Sequence, residues 1–329
     1  MSDIAQNLFS DTENEVLLMC KDVPVYSISK KLILNETLVP GCIIRGTMNF
    51  DEWLRTRYSI GSNTSARRLM LRAFAADSHN EDTVKATRAL SLSDCYWVKD
   101  ANKNVLFNDV TPYLNNEWDG NGAYNGGSIS TLFVNGAANK KWVNADTLLK
   151  YDSFKEAEPY ELCSKIGIYH VAKTHLSDKG LLVSNFTSTS CFLESMEQSG
   201  HVNKGENARE KAVEIFEDHA VTLFVIDFLV EHDDRHWGNY GFLRDADTGK
   251  YLGMSPYYDF DWVWTNGVIP LPKNAISKYG ELIADICYKA KAVSTEFTQG
   301  NIIRKRADEL LDMISADELI ACNNAFKTG

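Results

Sequence analysis

The stretch that decides the fold is His232–Asp261, HDDRHWGNYGFLRDADTGKYLGMSPYYDFD. The run before it, Ala212–Val230, is the most apolar of the chain and reads as a buried helix within a long helical segment from about Asn207 to Glu231. A polar cluster follows at once. Strand signals at Asn239–Leu243 and Tyr251–Met254 then flank a turn at Asp245–Lys250, and the acidic residues Asp259 and Asp261 close the stretch. A helix, a loop and a hairpin in this order fix two polar groups in space, one before the hairpin and one after it.

Such groups suit chemistry on phosphate. Magnesium takes hard oxygen ligands such as Asp and Asn. A further carboxylate is needed to orient or deprotonate an attacking hydroxyl. Asp234-x4-Asn239 has the spacing of the base and the metal-binding Asn in the protein-kinase catalytic loop, and Asp259 can play the later metal-binding Asp. The match is not literal, since DRH replaces HRD and DFD replaces DFG. Simpler readings exist for each residue alone. Asp234 could cap a helix or pair with Arg235, Asp259 could open a turn, and Asp233 and Asp261 compete for the same two roles. The helix before the loop and the hairpin after it lift the functional reading above these.

Outward toward the N-terminus the chain is β-rich. Val23–Leu34 is a β-like run, DEWLRTRYSIG has helical spacing and stops at Gly61, and Ser65–Phe74 is a basic, helix-prone stretch. SLSDCYWVKD suggests a short buried strand, and Asn115–Gly127 an exposed loop. Ser128–Val134, Lys140–Val143 and Thr147–Lys150 are strand candidates, with the tight-turn dipeptide Asn135-Gly136 after the first. Glu156–Val171 reads as a helix with Leu162, Ile166 and Tyr169 on one side, and Leu181–Phe186 as a further strand. At least two more helices are expected between Ala275 and Phe326. The Trp262–Trp264 pair is read as core.

Composition sets the outer limits. The chain has 329 residues, 44% hydrophobic and 24% charged, enough for two lobes and a sizeable core. A net charge of −11 argues against a dedicated nucleic-acid binder, which needs surplus Lys and Arg. Glu214, Glu217, Asp218, His219 and Asp227 exclude the apolar run as a lone bilayer span. The acidic, polar start MSDIAQNLFSDTENE is unlike a signal peptide, and the seven scattered cysteines show no paired spacing. Both point to a cytoplasmic protein with reduced thiols.

DRHWGNYGFL, a hairpin and SPYYDFD together resemble the C-terminal lobe of HipA-like serine/threonine kinases, which pair a DRHxxN loop with a later YD. SLSDCYWVKD, VNGAANKKW and TLLKYD stand where that family has similar strands, so the resemblance covers about residues 90–265. It implies an α+β, bilobal, protein-kinase-like fold, with a β-rich N-lobe at residues 1–185 and a mostly helical C-lobe at 186–329. The first ~85 residues show no match and count as an accessory segment. The resemblance also implies ATP and Mg2+ as cofactors and a protein Ser/Thr hydroxyl as acceptor, with self-phosphorylation and an antitoxin-like partner as further family traits. Residue by residue, Asp234 would be the catalytic base, and Asn239 and Asp259 the magnesium ligands. His236 would be a neighbour of the phosphates or metal, and Tyr258 and Phe186 would lie by the adenine. Lys150 would contact the phosphates, and the loop from Gly136 through Ala137 to Lys140 would cover them.

Three departures accompany that match. The lysine-paired helix glutamate is open among Glu156, Glu158 and Glu161. Phe133 stands where some members carry a self-phosphorylated serine, leaving Ser128, Ser130 and Thr131 as substitutes. The third is the unmatched N-terminal segment. On the residues alone, Asn135-Gly136 also serves as a plain hairpin turn, Asn125–Ser128 is an alternative glycine-rich loop, and Lys150 would be a solvated strand end. A non-protein acceptor, nucleotidyl transfer, or a non-catalytic interaction module are the rival functions.

Overall fold

A computed structural model describes residues 15–57, 88–114, 117–118, 127–128 and 139–328. In chain order the strands and helices begin with β1 (Val16–Cys20), β2 (Val23–Ser27), β3 (Leu32–Ile33), α1 (Gly41–Ile44), α2 (Phe50–Thr56), β4 (Tyr96–Asp100) and α3 (Phe107–Val110). They continue with β5 (Glu117–Trp118), β6 (Gly127–Ser128), β7 (Lys140–Asn144), β8 (Thr147–Tyr151), α4 (Ala157–Lys165), β9 (Thr174–Ser177) and β10 (Gly180–Ser184). After β11 (Cys191–Ser195) come α5 (Met196–Ser199), α6 (Ala208–Phe216), α7 (Asp218–Leu229), β12 (Gly241–Asp245), β13 (Tyr251–Met254), α8 (Lys273–Val293) and α9 (Gly300–Thr328). The class is α+β, as expected, with strands concentrated early and helices late.

The chain forms two compact units, and both are discontinuous in sequence. The first comprises Met1–Asp152, Ser177–Lys204 and Gly241–Gly253; the second comprises Ser153–Leu176, Gly205–Tyr240 and Met254–Gly329. Compactness therefore follows tertiary contacts between segments distant in sequence.

In the first unit, β1 pairs antiparallel with β2 and β4, giving the sheet order β3-β2-β1-β4. The Val23–Leu34 run is thus two short strands, and its partner VLLMC at β1 is a strand the sequence reading did not single out. Helix α2 starts on a capping box: Asn49 accepts from the Glu52 N–H at 2.9 Å, and Glu52 accepts from the Asn49 N–H at 2.8 Å. Its buried face joins an aromatic run in which Tyr26 stacks on Phe50, Phe50 meets Trp53, Trp53 meets Tyr96, and Tyr96 meets Phe192 of β11. Successive ring centroids lie 5.2 to 5.6 Å apart, a spacing at which aromatic edges and faces attract. SLSDCYWVKD does form a buried strand at β4. Glu117–Trp118 and Gly127–Ser128 pair antiparallel, so the ends of the expected 115–127 loop are short strands.

Strand β11, also unanticipated, pairs antiparallel with β12, and the sheet order is β11-β12-β13. The hairpin after the DRH loop is therefore backed by a third strand. Beneath it Arg244 forms a buried ion pair with Glu194 at 2.9 Å and donates to the Val39 carbonyl at 3.0 Å. β7 and β8, each expected as a strand, pair antiparallel, and β10 pairs with β8. The Asn135-Gly136 turn expected before β7 lies outside the described residues. β10 ends at Ser184, short of Phe186, because Asn185 turns the chain, its amide donating to the carbonyls of Leu92 and Ala145.

The second unit is built on α7. Residues Ala220–Leu229 are buried, and α6, α8 and α9 pack against this helix. Each of its large apolar side chains contributes about 1.5–3 kcal/mol on burial. The expected continuous helix from Asn207 to Glu231 is broken at Glu217, whose φ of 50° and ψ of −125° are not helical. The expected Glu156–Val171 helix stops at Lys165 because Gly167 takes φ 81°. Tyr169 falls beyond that stop and is 81% exposed, not on the buried face. Val171 instead makes a parallel bridge to Tyr257.

Cys20, Cys42, Cys95, Cys163, Cys191 and Cys287 are free thiols. No described helix is long and apolar enough to cross a membrane.

Candidate functional site

The second unit carries the loop that follows α7. Asp227, within the apolar α7, is 1% exposed, and an isolated carboxylate there would be costly. Arg235 neutralises it: Nε donates to Oδ2 at 3.0 Å and Nη2 to Oδ1 at 2.9 Å. The simpler reading, in which Asp234 pairs with its neighbour Arg235, does not hold, because the buried guanidinium is taken by Asp227. Burial alone would raise the Asp227 carboxyl, but Arg235 and His232 outweigh this and hold it down to about 2.

The same guanidinium has a second task. Its Nη1 donates to the Asn239 carbonyl at 3.0 Å and to the Tyr258 carbonyl at 2.7 Å. Tyr258 Oη in turn donates to the Gly238 carbonyl at 3.0 Å. The loop holding Asp234, His236 and Asn239 is thereby fastened to the segment holding Tyr258 and Asp259, although a hairpin separates them in sequence. Inside the loop, the His236 N–H donates to the Asp234 carbonyl at 2.8 Å, and the Asn239 N–H to the His236 carbonyl at 2.9 Å. Both tighten the turn.

Asp234 faces solvent, yet partial desolvation raises its carboxyl above the ordinary range. Asp259 and Asp233 push the same way, while His236 and His232 oppose them. Asp234 and Asp259 thus lie near enough for the charge of one to disfavour ionisation of the other.

Beyond Tyr258, Asp259 adopts φ 61°, a left-handed conformation that Asp tolerates better than most residues. The turn is held by Glu156, just before α4, whose Oε1 accepts from the Phe260 N–H at 3.2 Å and from Tyr160 Oη at 3.2 Å. Phe260 is fully buried, edge-on to Tyr160 and 4.8 Å beneath the Arg235 guanidinium. Glu156, Asp259 and Asp261 each bring one carboxylate oxygen within 4.8 Å of the others. Three hard oxygen donors of this kind fit the preference of magnesium.

Asp261, which on sequence competes with Asp259 for one role, joins it in one acidic group. Glu156 is the member of the glutamate trio that reaches the DFD turn. Asp227 and Arg235 were not assigned roles from sequence; the readable signal was a lone carboxylate in an apolar helix, eight residues before an arginine. Trp262 is 47% exposed, so the Trp262–Trp264 pair is not simply core.

The remaining expected residues lie in the first unit. Lys150 on β8 is 3% exposed, not a solvated strand end, and a lysine so buried requires a counter-charge. Lys140 on β7 stands opposite it in register. Phe186 is half-buried just past β10. Gly136 and Ala137 lie outside the described residues, as do Ser130, Thr131, Phe133 and the Ser65–Phe74 stretch.

No family model matches the chain, and no curated protein matches it. Among solved structures it is similar to the crystal structure of a Helicobacter pylori proinflammatory kinase, CtkA, at 13% identity and a TM-score of 0.40. That match covers 59% of this chain and 97% of the other.

Proposed function

We propose that this protein is a phosphotransferase of HipA-like type that uses ATP and magnesium to phosphorylate a serine or threonine hydroxyl of a protein. One observation carries the reading. Arg235 joins the loop of Asp234 and Asn239 to the segment of Asp259, so a hydroxyl-orienting carboxylate and metal-binding oxygens share one rigid frame.

Within that frame, Asp234 orients the acceptor hydroxyl and takes up its proton, a role helped by a carboxyl with raised proton affinity. Asn239 and Asp259 hold magnesium, with Asp261 as a further ligand and Glu156 fixing the turn that presents both aspartates. Magnesium supplies neutralisation of the phosphate charge when bound. Lys150 and Lys140 add countercharge for the phosphates, with the 136–140 loop as their cover. His236 neighbours the phosphate or metal site, and Tyr258 and Phe186 border the adenine. Positioning and electrostatics carry most of the rate in such chemistry.

The test is incubation with magnesium and ATP labelled on either the α- or the γ-phosphate, with the protein itself and a generic basic protein as acceptors. Label from the γ position on serine or threonine is the expected result. Label from the α position would mean nucleotidyl transfer. No label on any acceptor would count against protein phosphorylation.

A further inference from the structure

Glu231, between α7 and the catalytic-loop candidate, is 3% exposed and adopts φ 50°. Its carbonyl accepts from Thr265 Oγ1 at 3.1 Å, and its Oε2 accepts from the Asn266 N–H at 3.1 Å. Its Oε1 accepts from Arg306 of α9 twice, from Nε at 2.9 Å and from Nη2 at 2.7 Å. Two more bonds run alongside: the Trp264 N–H donates to the Val230 carbonyl at 3.0 Å, and the Asp233 N–H to the Trp262 carbonyl at 3.3 Å. The turn following Asp261 is thus laced to the residues that precede Asp234.

That turn is strained. Trp264 and Asn266 take φ of 60° and 65°, and with Glu231 and Asp259 they place four left-handed non-glycine residues around one site. Conformations this rare persist only where surrounding contacts enforce them, and they gather at functional sites. A buried carboxylate used merely to pack α9 would be a poor choice, since apolar side chains would serve as well or better. Its two oxygens divide the work: one faces the turn, the other the arginine of α9.

We propose that Glu231 is a positioning residue through which α9, by way of Arg306, holds the 262–266 turn and hence Asp259 and Asp261 in register for magnesium. This rests on the reading of those aspartates as ligands of a magnesium–ATP site. The C-terminal helix would then set the competence of the site without touching nucleotide.

The test uses the full chain with Arg306→Gln, Arg306→Lys and, as control, Asp308→Asn, which breaks the exposed Lys291–Asp308 pair between α8 and α9. Hydrogen exchange at the Trp264 and Asn266 amides is read beside the magnesium concentration that supports ATP binding. Arg306→Gln should speed exchange and weaken apparent magnesium affinity about tenfold, as loss of an outer-shell partner does. Arg306→Lys should recover part of both, and Asp308→Asn should match wild type.

Unchanged exchange in Arg306→Gln would overturn the link, and faster exchange with unchanged magnesium dependence would overturn the positioning role. The same changes in Asp308→Asn would reduce the effect to general loosening of α9 and overturn it too. If wild type binds no magnesium–ATP, the functional reading and the positioning role fall together. Exchange would still report separately whether α9 fixes the turn.

Discussion

Arg235 and Asp227, eight residues apart, meet as a buried fork with Nε and Nη2 on one carboxylate at 2.9 to 3.2 Å. The pair converts the rigidity of α7 into a fixed orientation for the loop, because Nη1 then bridges the carbonyls of Asn239 and Tyr258. Charge, hydrogen bonding and chain geometry are all met by one side chain.

Removing either partner leaves a buried charge or a broken fork. Arg235→Ala should cost about 3–5 kcal/mol in urea unfolding. Arg235→Lys should not restore the loss, since an ammonium cannot serve both sides of the fork. The ion pair also sets an acid limb. With Asp227 held at about 2 against an ordinary 3.8, its contribution is present above that ordinary value and disappears as pH falls toward 2. In Asp227→Asn that limb should be missing.

Asp234 gives the opposite sign. Its raised carboxyl means the folded state holds the proton more tightly than the unfolded chain, so this group's contribution weakens as pH rises through the raised range. Asp234→Asn should therefore be at least as stable as wild type at neutral pH by thermal unfolding, while turnover falls by orders of magnitude. Wild-type activity should decline on the acid side at a pH above that of an ordinary aspartate.

The left-handed backbone at Asp259 dictates which variant is informative. Asp259→Asn keeps a residue that tolerates φ 61° and removes only charge, so it should fold as wild type and lose magnesium-dependent binding. Asp259→Ala adds backbone strain of about 1–3 kcal/mol and should also melt lower. Asp261→Asn, run beside them by calorimetric titration, should weaken magnesium dependence if its oxygen joins that of Asp259.

Gly241, at the start of β12, is a packing test away from the chemistry. A Cβ there would lie 2.6 Å from Ser195 Cα and closer still to the Glu194 carbonyl, both backbone atoms that cannot swing aside. Gly241→Ala should destabilise the protein by about 1–3 kcal/mol in urea unfolding.

The hairpin after the DRH loop was legible because alternation and a turn sequence mark it locally, and β4, β7 and β8 were legible for the same reason. The break at Glu217 was not: AREKAVEIFEDHAVTLFVIDFL has no glycine or proline, and only tertiary packing places two helices there. CFLES of β11 is too short to announce itself without its partner β12. At the site, Asp234, Asn239 and Asp259 stood out by spacing. Arg235 did not, since its partner is defined by burial and not by adjacency. Asp261 emerged beside Asp259 only once the DFD turn was seen folded over Phe260.

The most direct measurement is calorimetric titration of ATP into wild type and Asp259→Asn, with magnesium and with a chelator. The account predicts binding by wild type that requires magnesium and is lost in the variant. Absence of binding in wild type, or equal binding in the variant, would contradict it.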